Sequence, residues 1–120
     1  MAIVGIDLEE RYEFTCPSDE GEDKTVFVIR PLSARERFRL MELIGPMSGD
    51  VDVGRIAKVS AEIVEMGVVE IRGLVVKGKK MDFSGDEIKK AIDLLPVNAL
   101  VEVAGEVVRV NFLGEDERKN

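Results

Sequence analysis

FSGDEIKKAIDLLPVNALVEVAGEVVRVNFLGEDERKN, Phe83 to Asn120, carries the clearest punctuation in the chain: a capped apolar segment, a proline break, a second apolar segment and a charged tail. Ser84-Gly85-Asp86-Glu87 has the form of a capping box, in which a serine and a glutamate three residues on satisfy each other's backbone amides at a helix start. Asp86 and Glu87 also suit the positive end of a helix dipole. Ile88, Ala91, Ile92, Leu94 and Leu95 then recur at helical spacing, with Lys89 and Lys90 on the wet side. The pattern predicts a helix over 84–95, ended by Pro96, which cannot continue the ladder.

Beyond Pro96, the residues Val97, Leu100, Val101, Ala104, Val107, Val108 and Phe112 share one helical face, interrupted by Asn111. Val103 and Val110 fall off it. A valine-rich hairpin turning at Ala104-Gly105 is the alternative, because β-branched residues also favour strands. The helical template fits more positions, so a helix is expected over 97–113, with 114–120 as a flexible tail.

Working upstream, the same logic predicts partners for this helical half. Tyr12, Phe14 and Cys16 alternate with Glu13 and Thr15, and Val26 to Ile29 forms a second apolar run, so residues 1–30 read as an extended hairpin part. Its connection, Pro17 to Lys24, is polar and longer than a tight turn. An isolated hairpin is marginal in water and has to dock on something. Pro31 ends the second strand, and Ser33-Ala34-Arg35-Glu36 is another capping box, predicting a helix over 34–44. Phe38, Leu40, Met41, Leu43 and Ile44 form its apolar side, and Gly45-Pro46 stops it through a left-handed glycine cap. A longer helix is expected from Val51 or Asp52, with Val53, Ile56, Ala57, Ile63, Val64, Val68 and Ile71 on one stripe and Arg55, Lys58, Glu62, Glu65 and Arg72 on another. Gly67 and Val68-Val69 weaken its end, Met66 is its earliest stop, and Gly73 is its expected cap. Residues 74–81 read as short apolar pieces around the basic turn Lys77-Gly78-Lys79-Lys80. The fold expected is therefore α+β, a single domain with an N-terminal β-hairpin followed by a mainly helical part of about four helices over 34–113.

Composition narrows function by exclusion. The 120 residues are 45% hydrophobic and 34% charged, an ordinary globular balance with an aliphatic core. The net charge of −7 is concentrated at the start, where Asp7 to Asp23 holds eight acids against Arg11 alone. Nucleic-acid binding relies on neutralising phosphate with an excess of Lys and Arg, so no nucleic-acid partner is expected. No apolar run approaches the roughly 18 to 20 residues of a membrane span, so no membrane partner is expected either.

Chemistry is equally sparse. The chain has no histidine, which removes the commonest general base and metal ligand at neutral pH. Cys16 is the only cysteine and lacks a histidine base, so a buried structural thiol is favoured over a nucleophile. Asp19, Glu20, Glu22 and Asp23 crowd one loop without the ligand ladder of an EF-hand, and a solvated loop is the better reading. Gly45, Gly49 and Gly54 lack the Gly-Lys-Ser/Thr of a phosphate loop. Lys77, Lys79 and Lys80 have no aromatic interleaving and read as a solubilising turn. The expectation is no enzyme, no metal and no cofactor. Val59, Met66, Val69, Val103 and Val110 sit off their helices' main stripes. They mark either a partner-binding surface or helices buried on more than one side.

The layout resembles a known family. An acidic hairpin leading through Ile29-Arg30-Pro31-Leu32-Ser33 into Ala34-Arg35-Glu36-Arg37, a long helix, Ser84-Gly85-Asp86-Glu87-Ile88, Leu94-Leu95-Pro96 and the charged end Glu115 to Asn120 are similar to the tail assembly chaperones of long-tailed bacteriophages. The resemblance covers most of the chain and is one of segment character. It implies a non-catalytic protein of the host cytoplasm, absent from the mature virion, that binds the tape-measure protein and helps recruit tail-tube protein, with self-association open. In that family a longer product often arises by frameshifting, and Arg118-Lys119-Asn120 is compatible with a slippery A-AAA-AAC heptamer. A small bacterial adaptor or regulatory subunit, binding a protein partner through helical apolar surface, is the alternative, and an enzyme working through carboxylates and lysine alone, which requires a concave cluster of Asp, Glu and Lys, is a third reading.

Overall fold

The computed structural model describes residues 2–47, 49 and 51–112. The expected tail at 114–120 and Arg118-Lys119-Asn120 lie outside them. The fold is α+β, with a four-stranded antiparallel sheet and four α-helices among the described residues. β1 (Tyr12–Phe14) and β2 (Val26–Ile29) form the expected hairpin, with Tyr12 opposite Ile29 and Phe14 opposite Phe27. Asp19 organises the connection: its carboxylate accepts the Thr25 N–H at 3.0 Å and the Gly21 N–H at 3.3 Å. Local side-chain bonds of this kind give a loop backbone an alternative to the ladder.

The hairpin docks on two further strands, β3 (Val68–Val76) and β4 (Lys79–Ser84), giving the order β1-β2-β3-β4. Here the sequence expectation is corrected. The long helix, α2 (Val53–Gly67), ends at Gly67, so Val68, Ile71 and Arg72 belong to a strand. The reason is two irregularities in β3. Ile29 and Phe27 on β2 face Val68 and Ile71, and Phe83 and Met81 on β4 face Ile71 and Leu74. At each place β3 spends three positions where its neighbour spends two, as a β-bulge does. Val68, Ile71 and Leu74 therefore all turn to the core at intervals of three, and their spacing imitates a helix. Gly73, expected as a helix cap, lies at the second irregularity with φ +74°, where its N–H donates to Asp82 Oδ1 at 2.8 Å. The basic turn is a two-residue hairpin connection: Lys77 and Gly78 have φ of 52° and 79°, the positive pair that a type I′ turn demands.

α1 (Ala34–Ile44) has the bounds expected, and both halves of its box are present: Ser33 Oγ accepts the Glu36 N–H at 3.2 Å, and the Glu36 carboxylate accepts the Ser33 N–H at 2.9 Å. Gly45 is right-handed, with φ −48°, and opens a 3₁₀ turn through Met47, correcting the left-handed cap. The helix expected over 84–95 is shorter. A 3₁₀ turn at Gly85–Glu87 precedes α3 (Ile88–Ile92), and the Leu94 and Leu95 amides bond back three residues, to Ala91 O at 2.9 Å and Ile92 O at 3.2 Å. Gly85, at φ +57°, keeps the strand-to-turn junction out of the α ladder.

Residues 97–112 form a helix, α4 (Val97–Phe112), and not the hairpin. Its buried face is Leu100, Val103, Ala104, Val107, Val110 and Asn111, rotated from the expected stripe toward the two misfit valines. Val97, Val101 and Phe112 are exposed instead. One apolar cluster joins Phe27, Ile29, Ile71 and Phe83 of the sheet to Leu40, Ile63, Val64, Ala91, Val103 and Val107 of the helices.

Three contacts lock the layers. Asn111, fully buried, accepts the Leu32 N–H on Oδ1 at 2.7 Å and donates to Val107 O at 2.8 Å, tying the β2–α1 connection to α4. A Cβ at Gly67 would stand 2.5 Å from Val107 Cγ1, so only glycine lets α2 approach α4 this closely. Arg30 reaches two helices: its N–H bonds Gly67 O at 2.9 Å and its Nε bonds Met66 O at 3.2 Å, both on α2, and its guanidinium meets the Glu36 carboxylate of α1 at 3.0 and 2.5 Å. That two-pronged ion pair holds the Glu36 carboxyl down at about 2 against an ordinary 4.5, the Arg30 bond being the leading cause.

Candidate protein-binding surface

α1 is the least covered of the long helices. Of its apolar residues only Leu40 is fully buried, and Leu43 and Ile44 are half-buried. Phe38 and Met41, expected on the same apolar side, are instead 60% and 52% exposed. The two lie one turn apart, so α1 turns one edge to the core and presents a second apolar edge to solvent. Large apolar side chains held out by a folded helix are what a protein partner buries.

On the opposite flank of α1, between it and α2, lies a shallow cleft of about 300 Å³ lined by Arg39, Leu43, Glu62, Glu65 and Met66. Its apolar lining is Leu43 and Met66. Its charged rim is partly paired, Arg39 lying 3.8 Å from Glu62 and Glu65 lying 3.5 Å from Lys89. An apolar strip edged by both signs of charge suits an amphipathic segment, with the strip taking the anchors and the rim setting register.

Most residues expected to bind a partner lie elsewhere. Val59, Val103 and Val110 are buried in the core, and Met66 and Val69 are half-buried. Their off-stripe positions reflect helices covered on more than one side for Val59, Val103 and Val110, and β3 for Val69. Met66 alone lines the cleft. In the sequence, Phe38 and Met41 do not stand apart, because their spacing merges with that of Leu40 and Ile44. The signal available was excess width, since five apolar residues in eleven exceed what one contact edge of a peripheral helix covers.

A second pocket, about 230 Å³, opens between the acidic loop and α4, walled by Cys16, Phe27, Leu74, Leu95 and Ala99. Its polar groups satisfy one another: Ser18 donates to Glu102 at 2.8 Å and accepts from Asn98 at 3.3 Å. Cys16, just past the end of β1, is buried, and burial together with the nearby Glu102 carboxylate pushes its thiol up to about 12. A thiol held protonated at neutral pH is a poor nucleophile. Among the described residues no group of three or more His, Cys, Asp or Glu is placed to hold a metal ion, and no helix is long and apolar enough to cross a membrane. Compared with models of protein families, with curated proteins and with solved structures, the chain matches none.

Proposed function

We propose that this chain is a non-catalytic tail assembly chaperone of a long-tailed bacteriophage, working in the host cytoplasm. It binds the tape-measure protein and helps bring tail-tube subunits to it. The resemblance of layout suggests the family, and the observation that carries the binding role is the exposed Phe38–Met41 edge of α1. Proteins of that family expose helical apolar surface to a partner helix by the same resemblance, and a helix laid along this edge would bury Phe38 and Met41 against its own apolar face.

The test is co-expression with the tape-measure protein of the same genome. The expected result is that its soluble yield rises with this chain and falls back with Phe38→Asp/Met41→Asp, while the doubly substituted chain unfolds at the same urea concentration as the original. Unchanged recovery of the tape-measure protein in the presence of the native chain overturns the proposal. Rescue that survives the double substitution moves the binding surface away from α1.

A further inference from the structure

Ahead of β1, residues 2–6 form no regular structure, and every residue from Ala2 to Glu10 is exposed. Ile3 and Val4 are 98% and 92% exposed, and Ile6 and Leu8 about half that. Apolar residues at 4, 6 and 8 alternate with Gly5 and Asp7, the period-two pattern of a half-buried strand, yet no strand pairs with them here. At the other side of the sheet β4 has a neighbour on one edge only among the described residues, and Met81 is 42% exposed beside the buried Phe83. An unpaired edge is a template for another strand. Residues 77–80 at the start of that edge carry three lysines, and residues 7–10 at the base of the arm carry three acids.

We propose that residues 3–8 of one chain add as a fifth, antiparallel strand on β4 of a second copy. The antiparallel direction sets the acids of the arm against the lysines of the edge, and one register satisfies both faces. With Ile6 opposite Met81, Val4 lies opposite Phe83 on the core side, and Asp7 lies opposite Lys80 on the outer side. A slip of one residue would turn Ile6 outward and separate Asp7 from Lys80. The same chain cannot make this contact. Four steps from Leu8 to Tyr12 span at most about 14 Å, and the Glu10 N–H to Asp7 O bond shortens even that. A strand beyond β4 lies about 19 Å from β1, four strand spacings away. The free edge of β1 is a poorer acceptor, since it is three residues long and carries Glu13. Lys80 already meets Asp23 of its own loop, and Lys77 and Lys79 make no ion pair among the described residues, so the edge has positive charge to spare.

Analytical ultracentrifugation of the full chain tests the pairing. Native protein is expected to self-associate in a manner weakened by salt. Asp7→Lys alone and Lys80→Asp alone each weaken association about tenfold, as like charges replace opposite ones directly across an antiparallel pair. Mixing the two single variants restores association, because each arm then meets an edge of opposite charge. Both positions are exposed, and unchanged urea midpoints confirm folding. Native protein that stays monomeric at every accessible concentration overturns the proposal, as does a mixture that associates no better than its components. Neither result bears on the α1 surface, which lies on a helix and not on the β4 edge.

Discussion

Removal of Asn111 probes the joint between the β2–α1 connection and α4. In Asn111→Ala the Leu32 N–H, now bonded at 2.7 Å, loses its acceptor inside the protein. No water replaces the amide easily, because Leu32, Val107 and Val110 are each at most 2% exposed. Stranding a buried amide costs about 1–3 kcal/mol. Loss of the carboxamide volume adds a cavity term, bringing the expected total to about 2–4 kcal/mol. Asn111→Leu separates the two contributions. It leaves no cavity, having the same branched four-atom outline in a bulkier form, but still strands the amide, and a methyl cannot sit 2.7 Å from a nitrogen without displacement, so about 1–3 kcal/mol of destabilisation remains. Urea unfolding measures both, with the midpoint lowered and the slope unchanged. A leucine variant within about 0.5 kcal/mol of the native protein would refute the reasoning, showing that Asn111 fills space and its hydrogen bond is dispensable.

Gly67→Ala improves helix propensity by about 1 kcal/mol, yet it is expected to destabilise by about 1–3 kcal/mol because the added Cβ meets Val107 Cγ1 at 2.5 Å. Val107→Ala in the same chain should recover part of that loss relative to the sum of the single changes in thermal denaturation. Glu36, lowered to about 2 from 4.5, contributes stability that is fully present above pH 4.5 and lost as pH falls toward 2. Acid unfolding of Glu36→Gln should therefore show a shallower decline across that interval, and an identical slope would deny the Arg30 pair this role. Cys16, raised to about 12, should react with a thiol-specific disulfide reagent at pH 8 orders of magnitude faster in urea than in the folded protein. Equal rates would contradict its burial.

Where a local rule and the tertiary structure agreed, the chain was legible. Ser33 and Glu36 named the start of α1, and Pro96 named the break before α4, because both devices act within one turn of backbone. Where they disagreed, the tertiary structure won. β3 was hidden behind its own bulges, which set Val68, Ile71 and Leu74 at helical spacing and carried the α2 stripe past Gly67. The buried face of α4 was displaced because Asn111, which looked like an interruption, belongs inside: its partner is a backbone amide at Leu32, far away in sequence. The binding edge on α1 was illegible for a related reason. Periodicity marks which residues are apolar on a helix, and only the positions of α2 and the sheet decide which of them the core takes.

The sheet's connectivity also dictates an order of assembly. The β1–β2 hairpin is synthesised first, but β3, the strand that secures it, arrives only after α1 and α2 have been made between Ile29 and Val68. A two-stranded hairpin has little stability alone, so it waits. The α2 face that receives Val107 stays bare longer still, until α4 emerges last among the described elements. A nascent chain halted before Val97 would therefore expose the half-built interior to the ribosome's surroundings, and pulse proteolysis of stalled chains should find resistance appearing in one step as α4 clears the exit tunnel.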